Sequence, residues 1–229
     1  MRWDHPIPAI IHQIWLTEET PNELLAACRQ SYLDKHPKWT NVLHKSPDAV
    51  FDDPDLSDIR LDLISFFDRC DGLAKTGTGP YRDAPWSSKA DALRLAALYV
   101  FGGFYVDYDM FCIRPLDRFR ADDLVLVNNF DDPPSVTEIV IGAHARDPRI
   151  KAILAEFLKC QAKGGVVTPR LTCWARQLSL FSYPTEYFCP RRRHARDVYR
   201  VTPNTHGIHC FRQNTYDVER LRKLCPSES

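Results

Sequence analysis

Apolar residues recur along this chain with two periods, and the segments that carry them alternate. Alternating or β-branched runs predict strands at residues 9–15, 39–44, 124–128 and 138–143, with shorter strands at 186–188, 199–202 and 207–211. Helical spacing predicts helices from Pro21 to about Pro37 and at residues 56–70, 88–101, 148–162, 170–181 and 217–224. Strands that alternate with helices predict an α/β fold, a mostly parallel sheet flanked by helices in a single domain.

Local capping signals place the starts of two of these helices. Thr20-Pro21-Asn22-Glu23 has a capping-box pattern with proline at the first helical position, and Ser88 with Asp91 gives a second such pattern. Gly102 and Gly103 predict the end of the second helix, because glycine readily adopts the left-handed conformation found there. The glycines, prolines and threonines of residues 71–86 predict a loop near the candidate site.

The helix between Ser88 and Gly102 is almost wholly apolar, which is typical of a buried helix. Asp91 and Arg94 are three residues apart and share one face of it. A buried ion pair needs further polar partners, so this pair marks a candidate site. The alternative is local, with Asp91 as a helix cap and Arg94 as its ion-pair partner.

Two carboxylates, Asp107 and Asp109, follow the next predicted strand, and alternation would place both on one side of an extended backbone. Such an oxygen-rich site suits Mg²⁺ or Mn²⁺ that holds a diphosphate. An isolated Asp-x-Asp is also typical of two solvated carboxylates in a turn. The ordered series of capped helix, paired glycines, aromatic strand and Asp-x-Asp within residues 88–110 favours the metal site.

In this order, residues 88–110 resemble the DXD-containing sugar-nucleotide glycosyltransferases related to the fungal initiating α-1,6-mannosyltransferases (family 32-like). More distantly, they resemble the glucosylating domain of the large clostridial toxins. The family pattern S-D-x-x-R-x-x-x-L-x-x-x-G-G-x-Y-x-D-x-D is matched at Asp91, Arg94, Leu98, Gly102, Gly103, Tyr105, Asp107 and Asp109. Ser88 departs from it, because two residues separate it from Asp91. The resemblance implies one GT-A-like, Rossmann-like domain over residues 1–229. Its nucleotide-sugar-binding part would be at about 7–130 and its acceptor-side part at about 131–229.

A weaker match lies at the start of the chain, where residues 7–15 resemble the family opening I-P-K-I-I-H-Q-I-W. The resemblance implies that His12 and Gln13 bind the substrate and that Trp15 stacks on the nucleotide base. The alternative for Trp15 is an ordinary core residue, because tryptophan buries a large area wherever it lies.

A third match lies near the end, where residues 207–216 resemble the segment I-H-x-x-x-x-S-W without its Ser-Trp pair. This match implies that His209 is a metal or diphosphate ligand opposite Asp109. His206 is a competing candidate, and a single histidine is also typical of an ordinary hydrogen-bonded core residue.

Taken together, the resemblance implies a metal-dependent glycosyltransferase. It would move a hexose from GDP-mannose or a UDP-hexose to a hydroxyl of a glycan or other acceptor, with retention of configuration. Asp107 and Asp109 would hold Mn²⁺ or Mg²⁺ against the leaving diphosphate, and Asp91, Arg94 and Asp107 would orient the donor sugar. The main alternative is a non-catalytic nucleotide-sugar or glycan-binding module of the same fold. A phosphatase is a further alternative, but its Asp-x-Asp would belong on the first strand.

Composition and targeting signals limit the possible binding partners and the expected cellular location. The 30 Lys and Arg balance the 30 Asp and Glu, so the net charge does not favour nucleic acid. The 8 cysteines have no CxxC spacing that would indicate a zinc site. No signal peptide or transmembrane run is recognisable, so we expect a cytoplasmic enzyme of bacterial or viral type with free cysteines. The basic run at 191–196 is expected to be a solvated loop, or else an anion contact.

Overall fold

The computed structural model describes residues 3–76, 85–131, 133–161, 167–190, 200–210 and 217–225. The strands in these residues are β1 (Ile10–Ile14), β2 (Thr40–His44), β3 (Gly103–Val106), β4 (Met110–Cys112), β5 (Leu124–Asp131), β6 (Pro134–Ala143) and β7 (Gly207–His209). The α-helices are α1 (Glu23–Lys35), α2 (Asp48–Phe51), α3 (Arg60–Thr76), α4 (Pro85–Phe101), α5 (Pro148–Gln161), α6 (Val167–Gln177), α7 (Thr185–Phe188) and α8 (Val218–Lys223). Pro54–Leu56 and Asp117–Ala121 are short 3₁₀ helices.

The central sheet contains β2, β1, β3, β6 and β5, in that order. β1 is parallel to both β2 and β3, whereas β6 is antiparallel to β3 and β5. All strands of this sheet except β6 therefore point the same way. The predicted α/β fold with a mostly parallel sheet is confirmed.

An apolar cluster covers each face of the sheet. On one face, α3, α4, α5 and α6 pack around residues such as Leu98 and Ile141, both fully buried. On the other face, α1 and α7 contribute Tyr32 and Phe188, which are also fully buried. α4 lies inside the first cluster, as its almost wholly apolar sequence predicts.

β4 and β7 form a separate antiparallel pair in which Met110 lies opposite His209. A third apolar cluster joins α1 and α8 to this pair through Leu24, Ile208 and Leu221. The pair therefore fixes a late segment of the chain beside the residues that follow the Asp-x-Asp.

The connection from α4 to β3 requires glycine at both of its positions. Gly102 has a φ of 65° and Gly103 a φ of 94°. A Cβ on Gly103 would lie 2.6 Å from the carbonyl oxygen of Ile10. The predicted helix end is confirmed, and the missing side chains let this connection pack directly on β1.

Two predicted helix starts are wrong. α1 begins at Glu23, because Asn22 rather than Thr20 caps it and accepts a hydrogen bond from the Leu25 amide at 2.9 Å. α4 begins at Pro85, so Ser88 lies inside the helix and does not cap it. Proline suits a first helical position because its φ is already helical and its missing N–H would have no partner there.

The predicted loop at 71–86 is partly helical, because α3 continues to Thr76 and α4 begins at Pro85. The predicted strand at 186–188 is α7, in which the Cys189 amide donates to the Thr185 carbonyl at 2.7 Å. The predicted strand at 199–202 is wrong for residues 200–202, which form no strand. Short apolar runs fit a strand or a helical turn equally well, which is why periodicity fails here.

Two further expectations fall on residues that lie outside the described ranges. These are the middle of the predicted loop, 77–84, and the basic run at 191–196. Among the described helices, none combines the length and the apolar character that crossing a bilayer requires.

Candidate active site

The Asp-x-Asp segment forms a turn between β3 and β4. The Met110 amide donates to the Asp107 carbonyl at 3.0 Å, which closes the turn. The Asp107 amide donates to the Ile139 carbonyl at 2.9 Å, and the Cys210 amide donates to the Asp109 carbonyl at 2.9 Å. The prediction that both carboxylates lie along an extended strand is therefore wrong. The turn is instead held by β6 on one side and by the chain after β7 on the other.

The two carboxylates of the turn meet His209. Its ligand atom and those of Asp107 and Asp109 all lie within 4.8 Å of one another. His209 Nε2 is 3.2 Å from Asp109 Oδ1 and 3.9 Å from Asp107 Oδ2. The pairing of β4 with β7 produces this meeting, because it sets His209 opposite Met110.

Two carboxylates and an imidazole are a suitable donor set for a divalent cation such as Mn²⁺ or Mg²⁺. Burial and the charge of Asp109 raise the pKa of Asp107, although Arg94 opposes the shift. Burial lowers the pKa of His209, but the hydrogen bond to Asp109 and the charges of Asp109, Asp107 and Glu138 together outweigh burial and leave the pKa raised. The three side chains therefore favour a positive charge between them, which a bound cation would supply.

The competing histidine, His206, lies away from this point. Its Nδ1 is 2.7 Å from the carbonyl oxygen of Pro115, and its ring lies 4.6 Å from the Phe119 ring, centroid to centroid. Burial lowers the pKa of His206 to about 4, so the ring is neutral at pH 7. His206 belongs to the core, and His209 is the histidine that the structure brings to the carboxylates.

Arg94 links the turn to α4. Its guanidinium lies 2.5 Å from Asp91 Oδ1 and 3.4 Å from Asp107 Oδ1, and it donates to the Glu138 carbonyl at 2.9 Å. The guanidinium also lies 4.5 Å from the centroid of the Tyr105 ring, and the Tyr105 hydroxyl donates to Asp107 Oδ1 at 2.7 Å. Because Arg94 is only 5% exposed, these contacts fix its position.

Asp91 remains partly open to solvent, with 19% of its side chain exposed. Burial raises the pKa of Asp91 to about 7, although the charge of Arg94 opposes the shift. Since α4 begins at Pro85, Asp91 lies well inside the helix and is not its cap. Its carboxylate, held on one side by Arg94, can accept a hydrogen bond from a ligand hydroxyl on the other.

Glu138 is a residue of this site that the sequence did not reveal. It lies on β6, which pairs with β3 just before the turn. Its backbone carbonyl accepts a hydrogen bond from Arg94, and the charge of its carboxylate raises the pKa values of Asp91, Arg94 and His209. A single glutamate in a strand forms no motif, so only the pairing of β3 with β6 could have identified it.

The side chain of His12, on β1, contacts His44 at the end of β2 and Gly102, the residue before β3. Its Nδ1 is 3.0 Å from His44 Nε2, and its Nε2 is 2.8 Å from the Gly102 carbonyl oxygen. Burial lowers the pKa of His12 to about 4. Both ring nitrogens are engaged within the fold, and the structure does not bring His12 to the carboxylates.

Gln13 lies on β1, and Trp15 directly follows the last residue of that strand. The Trp15 indole N–H donates to the Glu19 carbonyl at 2.8 Å, and the Trp15 ring lies 4.7 Å from the ring of Tyr108, the middle residue of the turn. Trp15 is half-buried, whereas Gln13 is buried and its Oε1 accepts a hydrogen bond from Arg29 at 3.0 Å. The structure thus brings Trp15 beside the Asp-x-Asp turn, with an aromatic surface still accessible.

Comparison with known proteins gives a family match and several relatives. Residues 22–126 match the family described as "Glycosyltransferase sugar-binding region containing DXD motif". Inositol phosphoceramide mannosyltransferase 3 of Schizosaccharomyces pombe is 34% identical over 111 residues, which cover 48% of this chain and 26% of that protein. Inositol phosphoceramide mannosyltransferase 2 of the same yeast is 30% identical over 155 residues, which cover 67% of this chain and 39% of that protein. The chain thus spans well under half the length of these curated relatives.

Among solved structures, the PaToxG glycosyltransferase is similar, with a TM-score of 0.58 and 14% sequence identity over 76% of this chain and 70% of that one. At this identity the similarity concerns the fold alone, and it supports a GT-A-like architecture. The family match includes the Asp91–Arg94 pair and the Asp-x-Asp turn. The resemblance inferred from the motif is therefore confirmed: residues 22–126 match the model of the DXD-containing sugar-binding region of glycosyltransferases.

Proposed function

We propose that the chain is a metal-dependent glycosyltransferase that moves a hexose from a nucleoside-diphosphate sugar to a hydroxyl group, with retention of configuration. The observation that carries the proposal is the meeting of Asp107, Asp109 and His209 within 4.8 Å. This meeting lies beside the Asp91–Arg94 pair, because Arg94 contacts Asp107 as well as Asp91. A donor of this kind needs a cation for its diphosphate and fixed polar groups for its sugar, close together.

In this proposal Asp107, Asp109 and His209 would hold Mn²⁺ or Mg²⁺. The cation, when bound, would neutralise the negative charge that develops on the leaving diphosphate. The two oxygens of Asp107 divide their contacts in a way that supports this role. Oδ1 is occupied by Tyr105 and Arg94, whereas Oδ2 is the oxygen that faces His209.

Asp91 and Arg94 would orient the donor sugar and the diphosphate. Arg94 is fixed by its contacts, so its N–H groups would need no rearrangement when a donor binds. Asp91 would accept hydrogen bonds from sugar hydroxyls, and Trp15 would stack on the base with Gln13 beside it. A substrate contact by His12 stays a prediction. Both ring nitrogens of His12 already have hydrogen-bond partners within the fold, which favours an indirect role in which His12 holds β1 in position.

Retention is the part of the proposal that rests on the family resemblance alone. A front-face route satisfies it without a nucleophile on the protein. The bond between the anomeric carbon and the phosphate oxygen breaks while the acceptor oxygen bonds to the same face of the sugar. The acceptor proton passes to the departing phosphate oxygen.

The donor and acceptor are proposed at the level of chemical class. GDP-mannose and UDP-hexoses are the donors to test, and the names of the yeast relatives make a mannosyl donor with an inositol phosphoceramide acceptor a natural first combination. We assign donor binding to residues of about 7–130 and the acceptor side to about 131–229, within one domain. A cytoplasmic location stays a prediction, and it is compatible with the free thiols of the described cysteine side chains.

Release of nucleoside diphosphate from GDP-mannose, UDP-glucose and UDP-galactose, with Mn²⁺, Mg²⁺ or EDTA, tests the proposal. Asp109→Asn should lower metal-dependent turnover by at least about 100-fold, because it removes a charge that holds the cation. Asp34→Asn, on an exposed carboxylate of α1, is the matched control and should keep full turnover. Turnover in EDTA, or full turnover by folded Asp109→Asn, would contradict the proposal. Metal-dependent binding without turnover would indicate a non-catalytic nucleotide-sugar-binding module.

A further inference from the structure

Two cysteines from distant parts of the chain meet where α1 approaches the end of β7. Cys28 lies on α1, and Cys210 directly follows His209, the last residue of β7. Their Sγ atoms are 3.9 Å apart, although 182 positions separate the two residues in the sequence. Both side chains are fully buried, so the packing around each sulfur holds it in this contact. The contact joins two thiols that have no part in the proposed glycosyl transfer.

A small apolar cluster surrounds this contact. Besides the two cysteines, its buried members are Leu24, Phe111, Ile113, Ile208 and Leu221. β4 and β7 pair with each other over three residues, outside the five-stranded sheet. Because an isolated two-stranded pair is only marginally stable, the position of β7 depends on this cluster. A covalent bond within the cluster would therefore fix the segment that carries His209.

A neighbouring pair of cysteines makes a different kind of contact. The Cys225 thiol lies 3.9 Å from the Cys112 carbonyl oxygen, so it faces a backbone acceptor. Cys210 has such an acceptor as well, the Ile208 carbonyl oxygen at 3.7 Å, but its sulfur also contacts the sulfur of Cys28. A contact between two sulfurs is what a disulfide requires.

The structure has Cys28 and Cys210 as free thiols. In a disulfide the sulfurs are about 2.0 Å apart, so these two would have to approach by roughly 1.9 Å. Rotation of both side chains about their Cα–Cβ bonds can supply an approach of that size, since each sulfur moves on its own arc. The bond would close a loop of most of the chain, and a cross-link of that kind restricts the unfolded state strongly.

We propose that Cys28 and Cys210 form a disulfide when the chain folds in an oxidising environment, and that this bond anchors the segment of His209 to α1. The oxidant is a small-molecule disulfide of the glutathione type. One cysteine thiolate attacks it and forms a mixed disulfide, and one small thiol leaves. The second cysteine thiolate then attacks the protein sulfur of the mixed disulfide and displaces the other small thiol. Two electrons and two protons thus pass from the cysteines to the oxidant.

The burial of both sulfurs sets when this reaction occurs. No oxidant reaches them in the folded chain, so the first step takes place before α1 and β7 come together, or when that packing opens locally. Closing of the packing then brings the second thiol to the mixed disulfide. In a reducing compartment the pair stays a dithiol. The bond does not depend on the proposed glycosyl transfer, since it follows from the meeting of the two sulfurs.

Refolding of the full chain from denaturant in a buffer of oxidised and reduced glutathione, beside refolding in dithiothreitol, tests the bond. After N-ethylmaleimide has blocked the free thiols, the chain from the glutathione buffer should carry two adducts fewer than the chain from dithiothreitol. A peptide map should link the peptide of Cys28 to that of Cys210 until dithiothreitol separates them. The Tm of the oxidised chain should be higher by about 5–10 °C, because the bond restricts the unfolded chain.

Single substitutions assign the rise in Tm to this pair. Cys28→Ala and Cys210→Ala each remove one of the two sulfurs, so the difference in Tm between the two buffers should disappear. Cys70→Ala removes a fully buried cysteine from the cluster on one face of the central sheet, and as the matched control it should keep the whole difference. The comparison of the parent chain in the two buffers needs no substitution, so it decides the matter even where a variant fails to fold.

Three results would overturn the inference. The first is an equal number of adducts on the parent chain from the two buffers. The second is a peptide map that pairs Cys28 or Cys210 with a different cysteine. The third is a rise in Tm on oxidation that survives in folded Cys210→Ala, because another bond would then cause it.

Discussion

Two buried polar clusters border β3, and they differ in charge. The histidine cluster lies at its start and contains His12, His44 and the Gly102 carbonyl. Burial lowers the pKa values of both histidines, so this cluster is neutral at pH 7. The acidic cluster lies beyond the end of β3. It contains Asp91, Arg94, Asp107, Asp109, Glu138 and His209.

This difference in charge distinguishes the histidine cluster, which serves the fold, from the acidic cluster, which is the candidate site. Burial alone does not separate them, since His12 is 1% exposed and Arg94 5%. The hydrogen bonds of His12 are completed within its cluster, and such a network stabilises the folded state without a ligand. In the acidic cluster carboxylates outnumber cations, and burial raises the pKa values of Asp91 and Asp107. That imbalance is unfavourable until a cation binds, which is what a metal-dependent site requires.

Replacing Arg94 should break the acidic cluster and have the largest effect. Arg94→Met leaves Asp91 and Asp107 without their buried cation, so the free energy of unfolding should fall by about 3–5 kcal/mol and turnover by about 100-fold or more. Urea denaturation and donor turnover measure the two effects. Arg60→Met removes an exposed ion pair with Asp52 and should cost less than about 1 kcal/mol. Equal losses of unfolding free energy in Arg94→Met and Arg60→Met would contradict the special place of the acidic cluster in this comparison.

Lowering the pH should disrupt the histidine cluster, and the resulting loss of unfolding free energy should be the next largest effect. The pKa of His12 is about 4 in the folded chain and 6.5 in an unfolded one, so the unfolded state takes up the proton first as the pH falls. The stabilisation from neutral His12 is complete above pH 6.5 and is lost progressively toward pH 4. The loss reaches about 3 kcal/mol.

Urea denaturation between pH 7 and pH 4.5 measures this loss. His12→Gln cannot titrate, so its stability should be lower at pH 7 but should fall less steeply with acid than that of the parent chain. Parallel pH dependences in the two proteins would show that His12 does not carry the effect.

Trp15 directly follows β1, and it sharpens the comparison because its ring lies beside the Asp-x-Asp turn and not in the histidine cluster. Trp15→Leu removes a stacking surface, so the donor KM should rise by about 10-fold while kcat changes little. Trp15→Phe keeps an aromatic ring and should restore most of the affinity. Initial rates over a range of donor concentrations separate the two constants. A fall in kcat with an unchanged KM would place Trp15 outside the base subsite.

The long periodic elements could be predicted from the sequence, because periodicity reports which face of an element is buried. β1, β6 and α5 lie close to their predicted positions. The four-residue α7 is too short to have a period, and it was mistaken for a strand. At the start of α4, Pro85 and Ser88 are both good start signals, and the sequence alone does not rank them.

The candidate site likewise has features that the sequence could predict and features that it could not. Local spacing singles out Asp91 with Arg94 and Asp107 with Asp109, because each pair lies within one turn or helix face. The turn conformation and the part of Glu138 depend on the pairing of β3 with β6, which no local pattern encodes. His209 could be proposed only from its likeness to a family segment, since nothing around it says which strand it joins. The chemical roles of these residues stay predictions.

The pairing of β4 with β7 gives the site an order of assembly. The five-stranded sheet is complete once β6 ends at Ala143, whereas His209 follows much later in the chain. During synthesis all five strands of the sheet and both turn carboxylates therefore leave the ribosome before His209 does. If the proposed function holds, the cation site would be completed only after the sheet that supports it.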